Sequence, residues 1–325
     1  MMKNMLLFRV FGLATVLLFV CNQLPGQIYF EDQFSEINMS TYTYTISETD
    51  TLKMDVFIPE DNVSADKPVV LYVHGGGFAG GQRDLPNHHT FCENLAKKGY
   101  VAITMSYSLL MKGKSFSCDQ PAPNKQTTFF KTAREISLAS QFIADHESEW
   151  GISPEKIVLA GSSAGAEAVI HNAYWKKTRQ GSLSPDFQYA GVISMAGALS
   201  NLNWVTDSTA IPTQLFHGTC DNLVPYGEAP HHYCEADEPG YLMLYGSFSI
   251  AEKLRETGSS FYLVTGCNDG HEWNELPLHS HFHYVVDFLY NDIVQGEFRQ
   301  IHQVEKNDDQ KNNCKNKDHY QFCVN

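Results

Sequence analysis

Ser163 stands at the centre of the pentapeptide Gly161–Gly165, which has the pattern G-x-S-x-G. The apolar run Lys156–Ala160 leads directly into it and is typical of a buried strand, and the Ala-rich segment behind it favours a helix. A turn that joins strand and helix this tightly strains the serine backbone, and flanking glycines leave room for the neighbouring elements. The pattern therefore predicts a serine whose Oγ stands above the edge of a sheet, at the N-terminus of a helix.

A glycine-rich loop, His74–Phe78, follows a second apolar run, Pro68–Val73, which is also typical of a buried parallel strand. Consecutive glycines let the backbone turn its N–H groups toward a ligand. We expect the N–H groups of Gly76, Gly77 and Ala164 to form an oxyanion hole, because an HGGG-type loop accompanies a G-x-S-x-G turn in acyl transfer. A flexible turn would explain the glycines alone, but the two motifs in this order favour the oxyanion hole.

Two loops downstream offer a carboxylate and a histidine in the chain order that this architecture uses. The segment Pro212–Gly218 is typical of a strand that ends in a turn, and Asp221 comes just after it. The segment Phe261–Thr265 is typical of a further strand, and His271 stands on the loop that follows. Ser163, His271 and Asp221 are therefore the predicted nucleophile, general base and acid.

Two further acids compete with Asp221. Asp269 lies only two residues before His271, too close for a comfortable buried pair, and we expect a loop or helix-cap residue. Glu167 lies one turn into the helix after Ser163 and is able to touch the site from behind. We expect it to be a satisfied polar group beside the turn.

An H-x-H-x-H run, from His279 to His283, raises the alternative of a metal site. The run resembles the start of a helix over Phe282–Val294, in which residues two apart point in different directions. A complete hydrolytic set needs no metal, so the sequence predicts no metal and no cofactor. Six other histidines are expected to brace the glycine loop, to be structural or to lie on surfaces and loops: His74, His217, and the pairs His88-His89 and His231-His232.

These motifs together resemble those of the α/β-hydrolase fold carboxylesterases, in particular secreted esterases and lipases with an H-G-G-G-F loop and a G-x-S-A-G turn. The resemblance extends from about Leu52 to about Val294, and His217–Asp221 resembles the H-G-x-x-D of the family. Ser108 stands where an arginine is usual. The resemblance implies hydrolysis of carboxylic esters without a cofactor. Substrates in the family include short acyl and aryl esters, acetylated sugars and feruloyl groups.

The alternation of strand and helix patterns, without repeats, predicts an α/β protein. The expected architecture is the α/β-hydrolase fold, a mostly parallel, doubly wound sheet with helices on both faces. The 325 residues suit one large domain. We place it at residues 27–300, before a polar C-terminal tail over 301–325. The net charge of −14 argues against nucleic acid and anionic membranes as partners.

The N-terminus is typical of a secretory signal peptide, predicted over residues 1–26. Basic residues precede the apolar run Val10–Val20, which is too short to span a membrane comfortably, and Pro25–Gly26 follow it. The predicted location is secreted or periplasmic, without stable membrane insertion. Two alternatives remain: a lipid anchor at Cys21, although Val20 stands where a small residue is expected, and a retained membrane anchor.

The eight cysteines agree with export to an oxidising compartment. Without the cysteine of the predicted signal peptide, seven remain, an odd number. We expect a bridge Cys220–Cys267 between the acid and base loops, and a bridge Cys314–Cys323 that staples the tail. Cys234 is a rival partner for Cys220 or Cys267, and the spacing leaves other pairings open.

No large cap domain is predicted, because the segment Ala198–Ile211 between two expected strands is too short for one. The long connections Leu109–Thr128 and Asn222–Tyr241 are candidates for the surroundings of the pocket. Phe78 and Trp204 are candidate walls of the acyl pocket, with core packing as the alternative for each. A fairly open site would accept a bulky alcohol, so the expected substrate is a small-molecule or oligosaccharide-linked ester.

Two rival functions remain at this stage. One is a serine peptidase of the same fold, a class that usually carries an additional gating domain. The other is a non-catalytic binding protein on a hydrolase scaffold, a class that usually lacks one of the three predicted catalytic residues. The fold alone does not choose among them.

Overall fold

The computed structural model describes residues 28–46, 50–60, 65–306 and 314–324. The predicted signal peptide over 1–26 lies outside the described residues. The strands are β1 Ile37–Ile46, β2 Thr51–Pro59, β3 Lys67–Val73, β4 Val101–Met105, β5 Ile152–Ser162, β6 Gly191–Met195, β7 Ala198–Leu199, β8 Thr213–Gly218, β9 Glu228–Pro230, β10 Met243–Gly246, β11 Phe261–Cys267 and β12 Gln300–Lys306. The helices are α1 Pro86–Lys97, α2 Ala122–Asp145, α3 Glu147–Trp150, α4 Ala164–Tyr174, α5 Ser247–Glu256 and α6 Phe282–Phe288, which continues as a π-helix over Leu289–Val294.

Nine of these strands form one sheet in the order β1-β2-β4-β3-β5-β6-β8-β11-β12. The pairs β1–β2 and β2–β4 are antiparallel, and the remaining neighbouring pairs are parallel. The prediction of a mostly parallel sheet is confirmed. Because the central strands are parallel, the loops that leave their carboxyl ends all emerge at the same edge.

The sheet separates two hydrophobic cores, and β3 shows how the sequence builds them. Val69, Leu71 and Val73 face one core, whereas Val70 and Tyr72 face the other, as the two-residue period of a strand requires. Helices α2, α4 and α5 contribute to the first core, and α1 and α6 to the second. A strand buried on both faces therefore appears in the sequence as a continuous apolar run.

The last strand of the large sheet corrects the predicted domain boundary. Strand β12 pairs in parallel with β11 over its full length, from Gln300 to Lys306. The predicted start of the tail at residue 301 falls inside this strand, so the sheet extends to Lys306. The strand is polar because it is a half-exposed edge strand. In the sequence alone, such a segment is difficult to distinguish from a polar tail.

Three disulfides connect loops at the carboxyl edge of the sheet, and their pairing differs from the expectation. The expected bridges Cys220–Cys267 and Cys314–Cys323 are wrong. The C-terminal segment lies across the loops after β8 and β11, and each of its two cysteines forms a disulfide with a cysteine of one of these loops. Lys315 N–H donates to Asn222 Oδ1 at 2.8 Å along this path. The observed bridges are Cys118–Cys234, Cys220–Cys314 and Cys267–Cys323, and the remaining described cysteine, Cys92, is buried and free.

The connection between β6 and β8 contains only β7 and a short 3-10 turn, Leu202–Trp204. Strand β7 belongs to a small second sheet with the order β7-β10-β9. This small sheet holds the long connection after β8 against the body of the domain. Within the described residues, every helix is too short or too polar to cross a membrane.

Candidate active site

Ser163 occupies a sharp turn between β5 and α4, with φ of 50° and ψ of −121°. A residue with a side chain rarely adopts this backbone conformation, and it persists only where the surroundings enforce it. The surroundings are tight: a Cβ on Gly165 would overlap the carbonyl oxygen of Val73, and a Cβ on Gly161 would overlap that of Gly165. The backbone N–H of Ser163 donates to Met195 O at 2.8 Å. The two glycines thus allow a turn that holds the serine at the edge of the sheet.

The structure brings the three residues predicted as nucleophile, base and acid into one hydrogen-bonded chain. Ser163 Oγ lies 2.7 Å from His271 Nε2, and His271 Nδ1 lies 2.6 Å from Asp221 Oδ2. Ser163 follows β5, Asp221 follows β8 and His271 follows β11, so the carboxyl ends of three parallel strands place them together. The geometry matches that of a serine, a base that accepts its proton, and a carboxylate that orients the base.

Asp221 is fully buried, yet its carboxylate has a complete set of donors. Oδ1 accepts from the N–H groups of Leu223 at 2.9 Å and Val224 at 3.0 Å. Burial on its own would raise the pKa of Asp221, but hydrogen bonds from His217 and His271 outweigh it and hold the pKa well below its usual range. The group therefore stays ionised at neutral pH, and His271 keeps its proton on Nδ1, which leaves Nε2 free to accept from Ser163.

His217 is a second histidine on the acid, which the sequence had marked only as structural. Its Nε2 lies 3.2 Å from Asp221 Oδ2 and 3.1 Å from Val224 O, and its Nδ1 lies 2.9 Å from Ser247 Oγ. Both neighbours of Nε2 are acceptors, so Nε2 carries the proton and Nδ1 accepts from the hydroxyl. The signal that would have found this contact is the four-residue spacing in the H-G-x-x-D segment.

The residues predicted as an oxyanion hole lie beside the serine. Gly76, Gly77 and Ala164 line the same cavity as Ser163, which we call the Ser163 cavity. Gly76 and Gly77 have φ of 115° and 60°, a region that glycine adopts without strain. The glycine loop and the first turn of α4 therefore form one wall of this cavity.

His74 supports the glycine loop from below. Its Nδ1 lies 2.7 Å from Gly75 O, and its ring stacks on Tyr107 with 4.5 Å between the ring centres. Burial lowers the pKa of His74 to about 4. The ring is therefore neutral at physiological pH, which agrees with the expected bracing position under the loop.

The Ser163 cavity has a volume of about 420 Å³ and is lined by residues that follow several strands of the large sheet. His88, His231 and His232 are among them. The expectation of surface or loop residues is wrong for His88, which is buried in α1, whereas His231 lies on a short 3-10 turn after β9 and is buried there. His88 Nδ1 lies 2.9 Å from Gln82 O. Burial of these histidines depends on how the loops fold over the sheet edge, which local sequence does not indicate.

The two aromatic residues proposed as pocket walls lie elsewhere. Phe78 is fully buried and packs edge-to-face against Phe116 and Phe129, with ring centres 5.1 and 5.7 Å away. Trp204 stacks on Trp175, with ring centres 4.5 Å apart. Neither residue lines the Ser163 cavity. Both side chains pack against other aromatic residues, which is the alternative that the sequence analysis had left open.

Within the described part of the chain, one group of three side chains has the spacing of a metal site: Cys118, Cys234 and Glu238. Its two sulfur atoms form a disulfide, so they are not available as ligands. In the H-x-H-x-H run, His279 Nδ1 accepts from the N–H of Ser280 at 2.7 Å.

Comparison with known proteins gives three findings. Residues 54–184 match the family model BD-FAE. Lipase 2 of Moraxella sp. (strain TA144) is 31% identical over 127 residues, which cover 36% of this chain and 26% of the relative. Esterase B1 of Culex pipiens is 32% identical over 125 residues, which cover 38% of this chain and 22% of the relative. The chain thus spans about a quarter of the length of these curated relatives.

The architecture also matches solved structures. Esterase 2 of Thermogutta terrifontis, in a structure phosphorylated by paraoxon, superimposes with a TM-score of 0.56 and 19% sequence identity. The match covers 80% of this chain and 95% of the solved chain, and it shows a common fold. Together, the mostly parallel sheet and these similarities support an α/β-hydrolase fold of the kind found in carboxylesterases and lipases.

Proposed function

We propose that this protein is a serine carboxylic-ester hydrolase that works through an acyl-enzyme intermediate. The observation that carries the proposal is the hydrogen-bonded chain from Ser163 through His271 to the buried carboxylate of Asp221. The names of the relatives, which describe lipases and esterases, support esters as the substrate class. Because the chain spans only part of the length of those relatives, ester hydrolysis by this protein is a proposal.

In the proposed reaction, Ser163 Oγ attacks the ester carbonyl carbon while His271 Nε2 takes the hydroxyl proton. The carbonyl oxygen becomes an oxyanion, which the N–H groups of Gly76, Gly77 and Ala164 stabilise. The C–O bond then breaks, and the alcohol leaves with the proton from His271. A water molecule repeats the sequence on the acyl-serine, which releases the carboxylic acid and regenerates the hydroxyl.

Asp221 acts through His271 in this scheme. Its low pKa keeps it ionised, so it stabilises the imidazolium that forms when His271 takes the proton. His217 donates to the same carboxylate oxygen as His271 and fixes its direction. No step needs a metal or a cofactor.

For the substrate, we propose a small-molecule or oligosaccharide-linked ester, with acetyl, feruloyl, aryl or short acyl groups. The connection between β6 and β8 is short, and the Ser163 cavity of about 420 Å³ suits part of such a molecule. A bulky alcohol would extend from the cavity without meeting a cap.

We also propose that the protein is exported, with residues 1–26 as a signal peptide and a lipid anchor at Cys21 as the alternative. The three disulfides fit an oxidising compartment. N-terminal sequencing of the exported protein tests this, since a mature chain that still begins at Met1 would contradict it.

The function is tested by hydrolysis of p-nitrophenyl esters from acetate to decanoate, of acetylated xylan and of methyl ferulate. The proteins compared are wild type, Ser163→Ala and, as a matched control, Ser162→Ala, which removes the neighbouring hydroxyl. We expect Ser163→Ala to lose about four to six orders of magnitude in kcat with an unchanged fold, and Ser162→Ala to lose far less. Normal turnover by Ser163→Ala, or no turnover of any ester by wild type, would contradict the proposal.

A further inference from the structure

Glu167 is a buried acid in the wall of the Ser163 cavity, one helical turn after Ser163. It is 2% exposed, and its Oε1 has no hydrogen-bond partner among the described residues. His231 Nε2 lies 3.6 Å from Oε1, which is too long for a hydrogen bond. The sequence had predicted a satisfied polar group here, and that expectation is wrong for Oε1.

His231 lines the same cavity from a different part of the fold, and its Nε2 is the atom that lies 3.6 Å from Glu167 Oε1. The residue is 1% exposed, and its Nδ1 has no partner among the described residues. Its ring packs edge-to-face against Phe116, with ring centres 5.2 Å apart. A buried polar atom without a partner costs stability, so the unpaired Oε1 of Glu167 beside the imidazole of His231 indicates a place where a ligand supplies the missing partner.

The loop that carries His231 is held rigidly. Cys234, three residues further on, forms the disulfide with Cys118 on the loop that also carries Phe116. Lys125 Nζ donates to Gly240 O at 3.0 Å and ties the same two segments together. A pair of polar atoms on rigid elements is prepared for a ligand before binding.

Burial favours the neutral form of both side chains. Burial raises the pKa of Glu167 well above its usual value; the positive charge of Lys125 opposes this shift and the negative charge of Asp221 adds to it. Burial lowers the pKa of His231 well below its usual value, and His232 and Lys125 lower it further. A protonated carboxyl and a neutral imidazole both donate and accept, which suits an uncharged hydroxyl better than an ionised ligand.

We propose that Glu167 and His231 form a polar subsite that binds a hydroxyl group of the ester substrate. A hydroxyl oxygen placed about 2.8 Å from both Glu167 Oε1 and His231 Nε2 fits over the 3.6 Å gap between these atoms, and its proton completes the second bond. This inference rests on the proposed esterase function. The hydroxyl belongs either to a hydroxylated acyl group or to a polyol alcohol, and the experiment separates these two sources.

The consequence is selectivity. A site built to hydrogen-bond a hydroxyl discriminates against the analogue that lacks it, because the buried polar atoms then stay unpaired. We expect kcat/KM for a hydroxylated ester to exceed that for its deoxy analogue by about tenfold or more.

The test measures kcat/KM for two matched pairs of substrates. Methyl 4-hydroxycinnamate against methyl cinnamate places the hydroxyl on the acyl side, and glycerol monoacetate against propyl acetate places it on the alcohol side. The quantity compared is the ratio within each pair, so a general loss of activity in a variant cancels. The proteins are wild type and four variants: Glu167→Gln, Glu167→Leu, His231→Phe and, as a control, Ser194→Ala, which removes a buried unpaired hydroxyl that does not line the cavity.

We expect wild type to prefer the hydroxylated member of one pair by about tenfold or more. Glu167→Gln keeps a donor and an acceptor, so it should keep most of this preference, as should Ser194→Ala. Glu167→Leu should bring the ratio close to one. If that variant does not fold, His231→Phe, which keeps a ring against Phe116, carries the same expectation.

Three results would overturn the subsite while leaving the esterase intact. One is a wild-type ratio near one for both pairs. Another is an unchanged ratio in every folded variant among Glu167→Leu and His231→Phe. The third is a preference of wild type for acetylcholine over 3,3-dimethylbutyl acetate that disappears in Glu167→Gln, which would mean an ionised Glu167 that binds a cation. If wild type turns over no ester at all, the proposed function is overturned and the subsite with it.

Discussion

His171, in the middle of α4, should make the protein sensitive to acid in a way that can be calculated. The side chain is fully buried. Its Nδ1 donates to Glu167 O at 2.6 Å, and its Nε2 accepts from the N–H of Ser200 at 3.2 Å. A nitrogen that accepts from a backbone N–H has no room for a proton of its own. Burial accordingly lowers the pKa of His171 from 6.5 to about 4.

The sign and the size of the effect follow from these two pKa values. Between pH 6.5 and 4, the unfolded chain holds a proton on His171 and the folded chain does not, so the free energy of unfolding falls as the pH falls. Integrated from pH 7.5 to 4.5, the loss from this group is about 2 to 3 kcal/mol. Well above pH 6.5 the group is neutral in both states and contributes no pH dependence.

The assay is equilibrium urea unfolding at pH 7.5 and 4.5 of wild type, His171→Asn and His319→Asn, a control on the exposed C-terminal segment. Asparagine does not titrate, and any packing defect that it causes is the same at both pH values. Wild type should therefore lose about 2 to 3 kcal/mol more than His171→Asn between the two conditions, and His319→Asn should follow wild type. If wild type and His171→Asn lose stability in parallel, within about 0.5 kcal/mol, the reasoning fails.

Three further predictions test the turn, the acid and the C-terminal bridge. Gly165→Ala, whose Cβ overlaps Val73 O, should lower the free energy of unfolding by about 3 kcal/mol and abolish ester turnover; native stability in a urea titration would contradict this. The variant Asp221→Asn should fold normally, and its kcat should be lower by about 10⁴-fold, because the imidazole of His271 loses its orienting carboxylate. A wild-type kcat in this variant would contradict the role proposed for Asp221. Replacing Cys267 and Cys323 with serine opens a bridge across 56 residues and should cost up to about 4 kcal/mol, seen as a lower Tm; an unchanged Tm would mean that the bridge does not hold the segment.

The convergence of Ser163, Asp221 and His271 could be predicted because each follows a strand that is buried on both faces. Such strands leave a strong local signal, a short run of apolar and β-branched residues. Once the strands are assigned to a parallel sheet, their carboxyl ends share one edge, and residues far apart in sequence must meet there. The glycines around Ser163 carry a signal of the same local kind, because contacts of neighbouring backbones exclude any side chain.

Features that depend on the path of a loop could not be predicted in this way. The bridges Cys220–Cys314 and Cys267–Cys323 form because the C-terminal segment crosses both loops, which no spacing of cysteines indicates. The burial of His231 arises from the loop after β9 folding back over Phe116. Phe78 shows the converse, since a residue next to the glycine loop turns into the core.

The central claim is that Ser163 is the nucleophile, and labelling with paraoxon tests it most directly. Paraoxon phosphorylates the structural relative from Thermogutta terrifontis, and an activated serine attacks phosphorus as it attacks an ester carbonyl. We predict release of one equivalent of p-nitrophenol per chain, loss of ester turnover in proportion, and a single diethylphosphoryl adduct on Ser163 by peptide mass spectrometry. An adduct on a different residue, or full ester turnover after Ser163 has been modified, would contradict the account.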